Sequence, residues 1–331
     1  MTITNSPFTE PVDAVFAAHN RTLDRPTTIQ HWQLRDLVSC PGRGEALFTV
    51  HDACTIRHCL HTGHNSVVQN LSFKPTSMTV NGEYIAAGGQ QKQLDVRHLA
   101  SGATLFKDTV GGSVNNALHL ARDASGEMRL FVCNNDESIR IFSLPRMTVA
   151  HHIQGIPAPV NYASMSPDGN HLAFVGDCEL VFVYKATPSG YQRLTTVSEA
   201  EDSGMCCDWN AAGTCVAAAA QDGTLCVWDI RSGRTVAKYG ARSPFRAVKF
   251  SSGPADLLTF TEHDTAAHLV DSRMYGMEQV INVASPEMEA DISGVTFAPD
   301  GSKLYVGTCD GINEYSVDMR RRCSFQSGSL I

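Results

Sequence analysis

Short apolar runs recur along the chain, grouped in pairs by tight polar turns. In the clearest pair, residues 215–220 are apolar, Gln221-Asp222-Gly223 interrupts them, and residues 224–229 are largely apolar again. Asp-Gly between two apolar runs predicts a β-hairpin, because such a turn needs a positive φ that glycine accepts at no steric cost. Six further pairs follow the same plan: 46–50 with 54–60, 84–87 with 94–99, 129–133 with 139–142, 172–175 with 180–184, 257–261 with 267–270, and 304–306 with 312–315. The first runs of the pairs are mostly apolar without alternation, the texture of strands covered on both faces. Residues 191–199 alternate instead, as a strand with one wet side should.

The turns keep a period. Those inside the pairs fall at Asp52, Gln91, Asp136, Asp177, Asp222, Asp264 and Asp310, in steps of 39 to 46 residues. A second series precedes the pairs at Gly82, Gly126, Gly169, Gly213, Gly253 and Gly301, in steps of 40 to 48. Two series in phase near 40–45 residues predict a repeat of one four-stranded sheet per unit. Trp228-Asp229, closing the second strand of its pair, resembles the WD-repeat (WD40) signature. The resemblance extends over residues 34–328 and implies an all-β, seven-bladed WD40-type β-propeller with degenerate repeats. Its approximate blades are 34–72, 73–111, 112–155, 156–200, 201–241, 242–288 and 289–328, within a propeller domain of 34–331. Only the fifth unit keeps Trp-Asp, and the family's Gly-His pair is replaced there by the stretch from Glu201 to Asp208. The hydrogen-bond network that runs through that histidine is therefore expected to be missing or rebuilt. Residues 1–33, with Pro7, Pro11 and Pro26, lack periodicity and are expected to form an N-terminal arm along the rim. One or two helical turns capped by Asp13 are expected within it.

Charge and cysteine content narrow the function. A net charge of −8 over 331 residues argues against nucleic-acid binding through a basic surface. No apolar run approaches a membrane span, and the first residues lack the pattern of a secretory signal. Eleven cysteines, odd in number and several inside apolar runs (Cys133, Cys215, Cys226), are expected to be free thiols in a reducing compartment, cytoplasmic or nuclear.

Motifs for nucleophilic, nucleotide-dependent or zinc-dependent catalysis are missing, so an enzyme is only a remote alternative and no cofactor is expected. His58, Cys59, His61 and His64 offer zinc-binding atoms, but neighbouring strand residues point to opposite faces and Thr62-Gly63 reads as a turn. A polar hairpin tip without metal is expected. Trp209 and Trp228 are expected to pack rather than to serve as ligand platforms. The function expected is binding of a protein or peptide at the top face, where the Asp turns and the segments leading into each first strand meet. Those segments carry Asn115-Asn116, Asn161-Tyr162, Met205-Cys206, Phe245-Arg246 and Ile292-Ser293. Asp136, Asp177 and Asp264 are expected to give the mouth an acidic character that attracts a cationic group such as a peptide's α-amino terminus, with Tyr162 and Phe245 as an apolar wall. Asp222 and Asp310, each followed by glycine, are expected to stabilise their own turns. His31-Trp32 through Leu37, followed by Cys40-Pro41 and a degenerate first unit, resembles a group of fungal WD-repeat proteins. That resemblance implies a substrate receptor of a GID (CTLH) ubiquitin ligase, with ligase subunits and substrate N-termini as partners. A general scaffold that binds through its blade rims is the alternative.

Overall fold

The structure, a computed structural model, describes residues 12–42, 44–283 and 290–323. The paired runs become the middle strands of seven sheets arranged as blades around a channel. Blade one consists of Val38–Ser39, Ala46–His51, Cys54–Cys59 and Asn65–Asn70; blade five of Gly204–Trp209, Cys215–Ala220, Thr224–Asp229 and Arg234–Gly240. In each blade the first strand lies at the channel and the last at the rim. First strands of adjacent blades pack on one another around the ring, and that of blade seven (Ile292–Phe297) meets that of blade one. A blade sandwiched in this way buries both faces of its middle strands. Phe131, Phe174, Val216 and Leu269 accordingly have no exposed surface, and each such side chain contributes about 1.5–3 kcal/mol by leaving water.

The two turn series lie at opposite ends of the blades, aspartates on the top face and glycines on the bottom. All six glycines of the bottom series have positive φ. Gly169 is additionally wedged against its neighbour: a Cβ there would lie 2.4 Å from the Ala124 backbone nitrogen of blade three. No other residue fits that contact. The ten described cysteines that the structure places are free, and Cys133, Cys206, Cys207 and Cys226 pack in the core like small apolar residues. Among the described residues no helix is long and apolar enough to cross a membrane.

The arm differs from the sequence expectation. The helical turns expected after Asp13 do not form. Val12–Asp13 pairs in parallel with the outer strand of blade six, Met277–Asn282, and Ala17–Leu23 pairs antiparallel with Ile312–Val317. Blade seven thus takes its outer strand from residues that precede blade one, which joins the two ends of the ring. The physical reason lies in residues 312–317, whose free strand edge offers a full ladder of hydrogen bonds, more than two isolated helical turns could retain in water. Residues 1–11, the boundary expected at 288–289 and the end of the last blade at 328 lie outside the described residues.

Glu314 fastens this closure. Its buried carboxylate accepts hydrogen bonds from Lys303 (2.9 Å), Asn20 (2.5 Å) and Arg21 (3.0 Å), the last two on the closing strand. Burial alone would raise its pKa, but these donors outweigh burial and hold the carboxyl below its ordinary range. Glu314→Gln is expected to lower stability by about 1–3 kcal/mol at neutral pH. A group with a depressed folded pKa contributes its stability above the unfolded value and loses it as pH falls. The deficit of the variant, read from denaturant melts, should therefore shrink below about pH 4.3.

A plugged channel mouth as candidate functional site

The top of each inner strand in blades two to seven carries one extra residue. The pairing with the second strand skips Thr76, Asn116, Asn161, Met205, Arg246 and Ser293 in turn. Such a bulge frees one residue from the ladder and re-aims its side chain. These six therefore stand at equivalent places around the mouth, and all are buried.

On one side of the ring they join hand to hand. Thr76 donates to the carbonyl of Asn115 in blade three (3.0 Å), Asn116 to that of Val160 in blade four (2.9 Å), and Asn161 to that of Gly204 in blade five (3.0 Å). The chain of donors stops at Met205, which has nothing to donate. Arg246 follows, with Nη1 3.2 Å from the Met205 sulfur and bonded to the side-chain oxygen of Gln221.

The mouth is not open. Residues 24–37, which link the outer strand of blade seven to the inner strand of blade one, cross it. Thr27 and Thr28 donate to the Thr308 and Val50 carbonyls, and Leu37 to that of Ser293. Gln90 of blade two holds the Gln30 carbonyl, and the indole of Trp32, 62% exposed, lies over Arg246 at 5.6 Å. Below it Asp36 reaches into the channel. It accepts the Tyr162 hydroxyl at 3.0 Å and lies 3.8 Å from the Lys249 ammonium, which bonds the same hydroxyl and stands 4.7 Å from its ring centre. Burial disfavours a charged lysine, but Asp36 foremost among its neighbours outweighs burial and raises the Lys249 pKa. His119, deep beside it, is lowered to about 3 by burial and then by Lys249, so it stays neutral and accepts the Met165 amide.

Beside the loop a groove of about 640 Å³ opens, lined among others by His31, Trp32, Arg35, His51, His263 and Asp291. Arg35 donates to the His31 and Leu34 carbonyls and meets His263 Nδ1 at 3.3 Å. Burial, reinforced by Arg35, lowers Arg246 to about 10. Burial likewise lowers Arg35, His31 and His263, with nearby arginines adding to the effect on both histidines. Asp291 lies 3.4 Å from His263 Nε2.

This arrangement corrects several expectations. Most of the turn aspartates are engaged locally or with the blade and do not stand as free acceptors around the mouth, and Asp52 and Asp136 are paired with a cation. Asp136 accepts Gly112 N (2.7 Å), Ser138 and Arg140, with the guanidinium 2.8 Å away. Asp177 accepts the Asn161 amide (2.8 Å) and remains exposed. Asp52 pairs with Lys74 beside the groove (3.0 Å). Asp264 is half-buried and, among the described residues, its carboxylate accepts no hydrogen bond. Phe245 is fully buried against Phe260 and His268 and forms no wall of the mouth. Tyr162 belongs to the channel beneath the loop, and Asn115 is spent on the Lys92 and Gln93 carbonyls and on Asn134. Asn116, Asn161, Met205 and Arg246 do share one ring.

Asp222 ties its own turn through Thr224 N (2.9 Å) and also accepts Glu201 N (2.7 Å), replacing the link that histidine would supply. Asp310 sits in a turn organised by the Thr308 hydroxyl. His58 is buried with both ring nitrogens engaged, by Thr49 (2.8 Å) and Asn65 (2.9 Å). Among the described residues no three His, Cys, Asp or Glu side chains cluster as metal ligands. Trp209 packs in the core and donates to the Ser164 carbonyl (2.9 Å); Trp228 is buried in the same core.

Seven blades of four strands, with Val12–Asp13 added to the edge of blade six, around a plugged channel define a WD-repeat propeller, and comparison with known proteins agrees. The WD domain, G-beta repeat family matches residues 192–229, and an uncharacterised protein domain family (DUF2415) matches residues 244–282. Uncharacterized protein C4G3.03 of Schizosaccharomyces pombe is 31% identical over 322 residues, covering 91% of this chain and 92% of the relative. The chain belongs to the WD-repeat family of this S. pombe protein. Uncharacterized protein YLR149C of Saccharomyces cerevisiae is 27% identical over 54% of this chain and 30% of its own length. The S. pombe target of rapamycin complex subunit wat1 is 25% identical over 59% of this chain and 60% of its own. A chain from the crystal structure of a mitotic checkpoint complex shares the fold, with a TM-score of 0.75 at 16% identity over 96% of this chain and 98% of that one.

Asp36→Asn removes the charge that holds the loop to Lys249. Hydrogen exchange at the Thr27, Thr28 and Leu37 amides is expected to quicken about ten- to a hundredfold, the loss of a charge-assisted hydrogen bond. Amides of the blade-five strands should exchange as before.

Proposed function

We propose that this propeller is a non-enzymatic interaction module that takes a peptide segment of a protein partner at its top face, beside residues 24–37. The observation that carries the reading is Trp32. A large indole, 62% exposed, sits on a loop anchored to several blades and borders an open groove of about 640 Å³. Tryptophan next to arginine is the composition of interface hot spots, and the anchored loop offers it with little ordering left to lose. The resemblance of residues 31–37 supports a narrower version, in which the partner is a substrate of a GID (CTLH) ubiquitin ligase and other surfaces dock ligase subunits. A second reading, binding through a blade rim, is favoured by one feature: Val12, Val15, Met274, Met277 and Val280 are all exposed on or beside the outer edge of blade six.

Quantitative affinity purification of the parent chain beside Trp32→Ala tests the reading. At least one co-purified protein is expected to fall about thirtyfold or more, the loss of a hot-spot side chain. Ligase subunits retained by both forms would support the receptor role. A partner set indifferent to Trp32→Ala but lost on Met274→Asp with Met277→Asp would move the site to the rim and overturn the top-face reading.

A further inference from the structure

Among the described residues, four side-chain polar atoms are buried without a hydrogen-bond partner: Arg35 Nε, Arg246 Nε, Thr261 Oγ1 and Ser293 Oγ. They are not scattered. Arg246 and Ser293 are the bulge residues of blades six and seven. Thr261 pairs with Ala247, next to Arg246, and Arg35 sits on the loop crossing above. Buried polar groups are normally satisfied, so a cluster of exceptions needs a cause. The sector that holds it is the one where the hand-to-hand ring breaks. Thr76, Asn116 and Asn161 close their share of the mouth with donors to the next blade, whereas Met205, Arg246 and Ser293 do not.

Charge singles out the same sector. Arg35 and Arg246 are each 4% exposed, and neither has a carboxylate within ion-pair distance among the described residues. The acidic groups acting on them stand farther off: Asp291 on Arg35, and Asp202 on Arg246. His31 and His263 adjoin the two guanidinium groups and carry their pKa values downward, so they add little charge near neutral pH. Burying two like charges without a counter-charge is costly, and a protein that keeps them has a use for the uncompensated field. Arg246 Nη1 is occupied and Nε is left without a partner, so the guanidinium edge formed by Nε and Nη2, which can grip a planar or tetrahedral oxyanion, is the one available. Trp32 covers it from outside at 5.6 Å, and Trp32 and Arg35, though not Arg246 itself, line the groove beside the loop.

We propose that the break in the ring at blades five to seven is an anion site, where Arg246, supported by Arg35, takes a carboxylate or phosphate group under the edge of Trp32. The proposal rests on the top-face reading for its biological ligand, and it gives that ligand an acidic or phosphorylated group in place of a cationic one. The loop must shift to admit the anion, since both Nε atoms are shielded from solvent in this state. The bond between Gln221 and Arg246 Nη1 leaves the other edge of the guanidinium for the incoming group.

The test uses the full chain, with sodium phosphate and sodium acetate as probes against sodium chloride at matched ionic strength. Trp209 and Trp228 are buried in blade five, so a change in accessible tryptophan emission reports Trp32. A saturable change with phosphate, with acetate or with both, together with a rise in melting temperature, is expected. Acetate alone would identify a carboxylate ligand and phosphate alone a phosphorylated one. Arg246→Gln should weaken the response about ten- to a hundredfold, while Lys107→Gln, exposed on the outer strand of blade two (Thr104–Thr109), leaves it intact. Without anion, Arg246→Gln should be at least as stable as the parent, because it removes an uncompensated charge; a purely structural arginine would destabilise on removal. If Arg246→Gln fails to fold, Arg35→Gln carries the same comparison. No response beyond chloride, or equal responses in parent and variant, overturns the anion site. Partner binding that still depends on Trp32 would then leave the top-face reading standing; anion binding with partners indifferent to Trp32 would reverse that outcome.

Discussion

Closing seven sheets into a ring forces the tops of seven inner strands to face one another across a narrow mouth, where polar groups are shut off from water. The molecule's answer is the bulge at the head of each inner strand from blade two onward. One residue per blade is released from the ladder, and in blades two to four it bonds sideways to the next blade. Where the released residue is Thr76, Asn116 or Asn161 the mouth is sealed and neutral. Where it is Met205 the sideways bond is missing, and where it is Arg246 or Ser293 a donor is left over. The asymmetry between the two halves of the ring is thus chemical and not architectural, since the same backbone device serves both.

The loop over the mouth follows from how the ring closes. With the outer strand of blade seven supplied by residues 17–23, the chain must travel from rim to channel on the top face before blade one can begin. That passage places Asp36 against Lys249 and Tyr162, and Arg35 beside His263. The paired acid and base lock the lower end of the passage. Its upper end carries an exposed indole over an arginine. One segment therefore both plugs the channel and presents the most exposed aromatic surface of the top face.

The architecture was legible because it repeats. Apolar runs, Asp turns and Gly turns in one phase survive the loss of Trp-Asp from all but one blade, since each unit needs the same turns whatever its signature residues. The site was legible only in part. Asn116, Asn161, Met205 and Arg246 were within reach because they share that phase, but periodicity does not reveal which neighbour projects into the mouth: Phe245 and Arg246 are adjacent, and the bulge alone turns Phe245 into the core and Arg246 into the ring. The turn aspartates misled for a related reason. Asp136 and Asp222 look like free carboxylates in a sequence, yet their oxygens are taken by amides of residues 24 and 21 positions earlier, contacts that exist only once the blade has formed. The strand character of residues 12–23 depends on an edge almost three hundred residues away.

On the reading proposed, the top mouth is sealed on one side by its own donors and on the other keeps donors for an oxyanion beneath the loop. That difference can be read most directly from experimental electron density for the full chain crystallised in phosphate. A tetrahedral anion is expected within hydrogen-bond distance of Arg246, with Trp32 displaced to admit it and the Thr76–Asn116–Asn161 side of the ring unchanged. Density showing only water at Arg246, or the Arg246 guanidinium turned onto the Asp202 carboxylate, would contradict it.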